Sequence, residues 1–245
     1  EAHLDRLWWG AAQLRIDIGR SRAELTGDLV RLLRANAMTD GAHLRLMVTR
    51  GRKASINQDP RNALGPATIA CTAEFKTPAG TGAGLALHTA AIRTTGPEMF
   101  DMRLNSHSRL ILITALIEAI EAGADEALMR DPHGNVASCN ATNFFWSSGG
   151  TLYTSGDRYC FNGITRGNVI ALCRDGLMPI RQGDFSPEVL ATAEEAFVTG
   201  TMGGITPVRS IDRRALPEVD GPVTRRVRAA YAALKDADAA ANRIV

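Results

Sequence analysis

The chain has 245 residues, 45% of them hydrophobic, enough to bury a sizeable core in one large domain or two modest ones. Lys and Arg number 28 against 26 Asp and Glu, a formal charge of +2, and the arginines are scattered rather than clustered, so nothing marks a nucleic-acid partner. No apolar run of about 18 residues or leader pattern appears, and the four cysteines, Cys71, Cys139, Cys160 and Cys173, lack metal-type spacing, which together predict a cytoplasmic protein with reduced thiols, no membrane contact and no resident metal.

The chain opens at Glu1 directly in an amphipathic helical pattern with no strand before it, so upstream strands are expected to be missing. Apolar residues at three- and four-residue spacing predict helices over residues 3–16 and 22–35, separated by "DIGRS". "HLRLMVTRG" alternates and ends at Gly51, a strand entering a turn, and "ATIACTAEF" is a second strand. The Gly-, Pro- and Thr-rich stretch "KTPAGTGAG" then divides the chain into a smaller lobe over 1–78, a linker over 79–84 and a larger lobe over 85–245. In the larger lobe "LALHTAAIRTT" reads as a strand, and "SRLILITALIEAIEA" as a helix capped by Ser106 or Ser108 and stopped by Gly123. Strands follow in "EALMRD" and "NVASCNATNFFWSSGGTLYTS", then a helix from near Gly163, a short helix with Pro187 in its first turn, strands in "EAFVTGT" and "ITPVRSID", and a closing helix. Helices and strands without regular βαβ alternation predict an α+β fold with antiparallel or mixed sheets. Neither a GxGxxG nor a GxxxxGK[ST] pattern is present.

Three short segments share a capacity to hold an anion. Arg50, in "TRG" at a strand end, offers a bidentate guanidinium. "NGITRGN" opens a helix whose first N–H groups and dipole favour negative charge, and "TGT" at 199–201 adds hydroxyls beside glycine N–H groups. Together they describe a phosphate cup.

The order "HLRLMVTRG", "EAGADEALMRDPHGNV", "NATNFF", "TLYT", "NGITRGNVIALC", "EEAFVTGT", "GITPVRSID" resembles the fold-type IV pyridoxal-phosphate enzymes, which include branched-chain and D-amino-acid aminotransferases and aminodeoxychorismate lyase. The resemblance covers nearly the whole chain. It implies two α+β lobes, here with an incomplete N-terminal part, and a cofactor held between them in a homodimer. It further implies that Arg50, Ile164, Thr165 and Thr201 hold the cofactor phosphate.

The catalytic positions depart from the family. Its lysine, which links covalently to the cofactor and carries a proton, falls eighteen positions before Gly123, at Asn105; a register shifted by one helical turn would give Arg109. Neither side chain can form the link. The family's glutamate at the pyridine nitrogen is replaced by Ser138. The three lysines are Lys53, Lys76 and Lys235, of which Lys53, three residues after Arg50, is the candidate for a relocated amine. His107 is a candidate general base and a candidate helix-cap residue. Cys139 is a nucleophile if its thiol pKa is lowered and otherwise a buried strand cysteine. Asn140 and Asn143 are expected to shape the turn between strands.

Three functions stay open on these residues. The first is amino-group transfer or lyase chemistry on an amino acid or keto acid, with pyridoxal or pyridoxamine phosphate bound non-covalently. The second is an enzyme that uses the pocket without that cofactor, through His107, Cys139 or Arg109. The third is a non-catalytic binder of a phosphorylated ligand.

Overall fold

The computed structural model describes residues 1–76 and 82–242, which fall into two compact units, the first from residues 1–76 and the second from residues 82–240. Of the expected linker, residues 79–81 lie outside the described residues, and 82–84 form a turn in which Gly84 takes a φ of +67°, open to glycine without strain.

The first unit begins with helix α1 (Ala2–Gln13) and helix α2 (Arg22–Ala35). Helix α1 ends earlier than its apolar spacing predicts, because Arg15 turns to φ +51° and the Ile16 N–H closes back on the Ala11 carbonyl at 2.8 Å. Helix α2 starts from a reciprocal cap: the Ser21 hydroxyl accepts from the Glu24 N–H at 3.2 Å while the Glu24 carboxylate accepts from the Ser21 N–H at 2.8 Å. Strands β1 (Ala42–Thr49) and β2 (Thr68–Phe75) pair antiparallel, joined through a short 3₁₀ turn at Pro60–Asn62 that the sequence did not announce.

The second unit is built on a nine-stranded mixed sheet. Its strands are β3 (Leu85–Arg93), β4 (Glu126–Arg130), β5 (Val136–Cys139), β6 (Asn143–Ser148), β7 (Thr151–Ser155), β8 (Ile180–Gly183), β9 (Glu195–Gly200), β10 (Gly204–Ile211) and β11 (Arg214–Ala215). They run in the order β5-β4-β3-β10-β9-β6-β7-β8, with β11 beside β10. The β3/β4, β3/β10 and β7/β8 pairs are parallel and the others antiparallel. The sheet curls until its ends meet: the Val136 N–H of β5 donates to the Phe185 carbonyl just past β8 at 2.8 Å, and the Ser155 hydroxyl of β7 donates to the Ala137 carbonyl of β5. That closure satisfies backbone groups that an open edge would leave unpaired.

Three helices dress this sheet: α3 (Leu110–Glu121), α4 (Ile164–Arg174) and α5 (Pro222–Ala241). Strand alternation sends Phe144 and Trp146 into one core with Leu128 and Val198, and Phe145 into another with Phe197, Val169 of α4 and Val227 of α5. Helix α3 packs Ala115 and Ala119 on Ala90, Ala127 and Met129 of β3 and β4. The expected cap of α3 is corrected: Arg109 is its N-cap, no side chain caps it, and the Ser106 hydroxyl instead accepts from the Ser108 N–H at 3.3 Å one turn upstream. Gly123 follows at φ +80°, where the helix stops. The segment expected as a short helix at Pro187 is a 3₁₀ run, Pro187–Thr192.

Candidate functional site

Helix α4 begins where β7 hands the chain over. Gly163 is its N-cap, no side chain caps it, and its first turn carries no acidic residue, so the positive end of the dipole and its N–H groups stay available to an anion. Asn143, the first residue of β6, fixes this start: its Nδ2 donates to the Phe161 carbonyl at 2.6 Å and to Ser138 Oγ at 3.1 Å, and its Oδ1 accepts from the Gly163 N–H at 3.3 Å. A Cβ on residue 163 would lie 2.5 Å from that Oδ1, so the close approach requires glycine. Asn143 is therefore more than the turn residue expected of it. Asn140, just past β5, reaches across to β4, its Oδ1 accepting from the Ala127 N–H at 2.8 Å.

Thr199 of β9 pairs directly with Asn143 of β6, which puts both side chains on the same face of the sheet. Its hydroxyl is buried and has no partner among the described residues, and an orphaned buried hydroxyl costs about 1–3 kcal/mol unless something hydrogen-bonds it. Thr201 stands exposed just beyond the end of β9. The next residues of α4 are held from below: Thr165 Oγ1 lies 3.3 Å from Tyr231 Oη of α5, and Arg166 Nη2 donates to the Ser155 carbonyl at 2.7 Å. Within this unit Ile164 and Thr165 thus share one sheet face with Asn143 and Thr199, and Ser138 joins them through Asn143.

Asn105, His107 and Arg109 lie in the turns before α3, where the Arg109 guanidinium donates to Asn105 Oδ1 and to the Ser106 carbonyl, the latter at 3.0 Å. Arg50 belongs to the first unit, where it donates to the Leu14 carbonyl at 2.8 Å and the Arg15 carbonyl at 3.3 Å, closing the end of α1. Lys53 donates to the Asn57 carbonyl within its own loop. Of the two readings of Cys139, its place on β5 is that of the buried strand cysteine: complete burial, with the Glu126 carboxylate nearby, pushes its thiol well above the ordinary range, the reverse of what a reactive thiolate needs.

Ser138 is buried, and its hydroxyl donates to the Thr142 carbonyl at 2.8 Å. Beside it, Glu126 holds the turn between β5 and β6, one carboxylate oxygen accepting from Thr142 Oγ1 at 2.8 Å and from the Ala141 N–H at 3.1 Å. Burial raises its pKa and these hydrogen bonds partly offset the rise. Sequence reasoning missed Glu126 and Tyr231, and within "TGT" it singled out Thr201 rather than the buried Thr199; each signal exists only across strands or between a helix and the sheet. Among the described residues no group of three or more His, Cys, Asp or Glu could hold a metal, and no helix is long and apolar enough to cross a membrane.

A pyridoxal-type cofactor can be tested against these residues. They fit its phosphate end, through the uncapped start of α4 and the unpartnered Thr199 hydroxyl.

Comparison with known proteins agrees with this architecture. Branched-chain-amino-acid aminotransferase-like protein 2 of Arabidopsis thaliana is 36% identical over 96% of this chain, which spans only 43% of that relative's length. A putative branched-chain-amino-acid aminotransferase of Methanocaldococcus jannaschii is 32% identical over 92% of this chain and 78% of its own length. Among solved structures, the branched-chain aminotransferase of Thermoproteus uzoniensis with norvaline superposes with a TM-score of 0.86 at 28% identity, covering 94% of this chain and 77% of that one. The branched-chain amino acid aminotransferase of T.th. with pyridoxamine 5'-phosphate gives 0.86 at 27% identity over 94% and 76% of the two chains. The family model for amino-transferase class IV matches residues 1–211, and the chain belongs to that family.

Proposed function

We propose that this chain binds a phosphorylated pyridoxal or pyridoxamine without a lysine link, through the phosphate, and presents it to an amino acid or keto acid. The observation that carries the reading is the start of α4: an uncapped helix N-terminus locked by Asn143, on the sheet face that carries the unpartnered Thr199 hydroxyl. In it the N–H groups of Ile164 and Thr165 and the hydroxyls of Thr199 and Thr201 donate to phosphate oxygens. When bound, such a cofactor supplies an electron-withdrawing ring that stabilises charge at a substrate carbon.

Lysine-dependent transamination is not part of this reading. The Asn105 amide has no basic nitrogen to carry the proton, and Arg109 remains protonated at any working pH. Ser138, whose proton goes to the Thr142 carbonyl, leaves a ring nitrogen without an acidic partner. His107, exposed ahead of α3, supplies the set's imidazole, a side chain that can accept a proton in general base work. A cytoplasmic homodimer completes the proposal.

The test is binding of pyridoxal phosphate and of unphosphorylated pyridoxal, followed by borohydride reduction and peptide mapping. The expected outcome is at least tenfold tighter binding of the phosphate form, about 1.4 kcal/mol or more, and no tagged lysine. Equal binding of the two would sink the phosphate cup, and a tag on Lys53 would replace non-covalent binding with a relocated amine. Asn105→Lys is expected to gain a reducible link at position 105; a folded variant with no such tag contradicts the assignment of that position.

A further inference from the structure

Helix α3 buries alanines and shows its large aliphatics. Leu110, Ile113, Ile117 and Ile120 are 79%, 53%, 49% and 60% exposed, while Ala115 and Ala119 on the opposite side are fully buried. An amphipathic helix of a lone subunit has the reverse pattern, and a continuous exposed apolar stripe marks an interaction surface.

The spacing of the stripe identifies what fits it. Steps of three, four and three residues make it symmetric about position 115, so a second copy laid antiparallel in that register sets Leu110 against Ile120 and Ile113 against Ile117. The same register sets Arg109, at the positive end of the helix dipole, against Glu121, at the negative end, both of them exposed. Every apolar side chain meets an apolar one and each end meets its opposite charge, which is the condition for an isologous two-fold contact. A parallel copy would bring like ends together.

We infer that α3 is the surface through which two copies of this chain pair, antiparallel across a two-fold axis at Ala115. The inference rests on the homodimer in the functional reading above and adds its interface. Two 12-residue helices supply less area than the roughly 1,200–2,000 Å² of a standard interface, which puts α3 alone in the class of small contacts.

The experiment is sedimentation equilibrium of the full chain at several concentrations around 10 µM, with circular dichroism melts to certify folding. Ile117→Glu puts two unpaired charges into the contact and is expected to weaken dimerisation by about 100-fold or more with an unchanged melt. Glu121→Arg is expected to weaken it by about tenfold, and Arg109→Glu combined with Glu121→Arg to restore it. Should Ile117→Glu fail to fold, Leu110→Ser, at the most exposed position of the stripe, carries the test. A wild-type chain that is monomeric at ~100 µM overturns both the pairing and the homodimer, and means that some other partner covers the stripe. A wild-type dimer that the folded variants leave intact overturns the α3 interface alone, while cofactor binding is measured separately and stands or falls on its own.

Discussion

Glu126 shows how one buried residue sets a pH dependence. Its carboxyl is raised above its usual value of 4.5 by burial, so the folded state prefers it protonated. The resulting stabilisation is full below pH 4.5 and is lost as the pH rises through the folded-state pKa. The hydrogen bonds from the Ala141 N–H and Thr142 Oγ1 end on Oε1, an atom that glutamine also carries. Glu126→Gln is therefore expected to match the wild type at pH 4 and to melt higher at pH 7, by a few degrees; identical melting differences at both pH values would show that no uptake of a proton accompanies folding there. The same desolvation explains Cys139, whose thiol is expected to resist alkylation at pH 8 in the native protein and to react on unfolding.

At the scale of the element, α4 carries two glycines with opposite requirements. Gly163 touches Asn143, and an added Cβ would sit 2.5 Å from Oδ1, so Gly163→Ala forces the amide away from the N–H it receives. The expected cost is about 1–3 kcal/mol in denaturant unfolding, with weaker binding of pyridoxal phosphate. Gly167 lies inside the helix, where an added Cβ meets nothing within 4 Å. Gly167→Ala should stabilise the protein by about 0.5–1 kcal/mol through helix propensity, with binding unaffected. A pair of variants that moved together would show that α4 responds only as a helix and that its first turn has no separate task.

At the scale of the second unit, closure of the curled sheet depends on an aromatic stack. Trp146 lies 5.7 Å from Phe144 and 5.5 Å from Tyr153, both stacked, with Phe185 edge-on at 5.3 Å. Phe185 is also the residue whose carbonyl receives the Val136 N–H, so the stack and the seam of the sheet share a residue. Trp146→Ala is expected to cost about 3–5 kcal/mol and to deprotect the β5 amides in hydrogen exchange. Loss of stability with those amides still protected would separate the core from the seam.

The sequence alone determined most of the elements, since periodicity, proline and glycine act over a few residues. It placed α2, β1 to β7, β9 and β10, and the start of α4 at Gly163, each within a few residues. It also carried the class IV resemblance, because "NGITR" and "FVTGT" are contiguous strings. What it left undecided is long-range. The short strand β8 has no strong local signal and exists because Ile180 to Gly183 pair with β7. The end of α1 follows from a left-handed Arg15, and Ser106 and Ser108 cap nothing because Arg109 takes the N-cap position. Asn143 became a hub and Thr199 an unpartnered hydroxyl only when β6 met β9 and α4. Local strings therefore sufficed for elements and family, while burial and partners of the site residues were decided by tertiary packing, because desolvation and hydrogen bonding depend on which distant segments arrive.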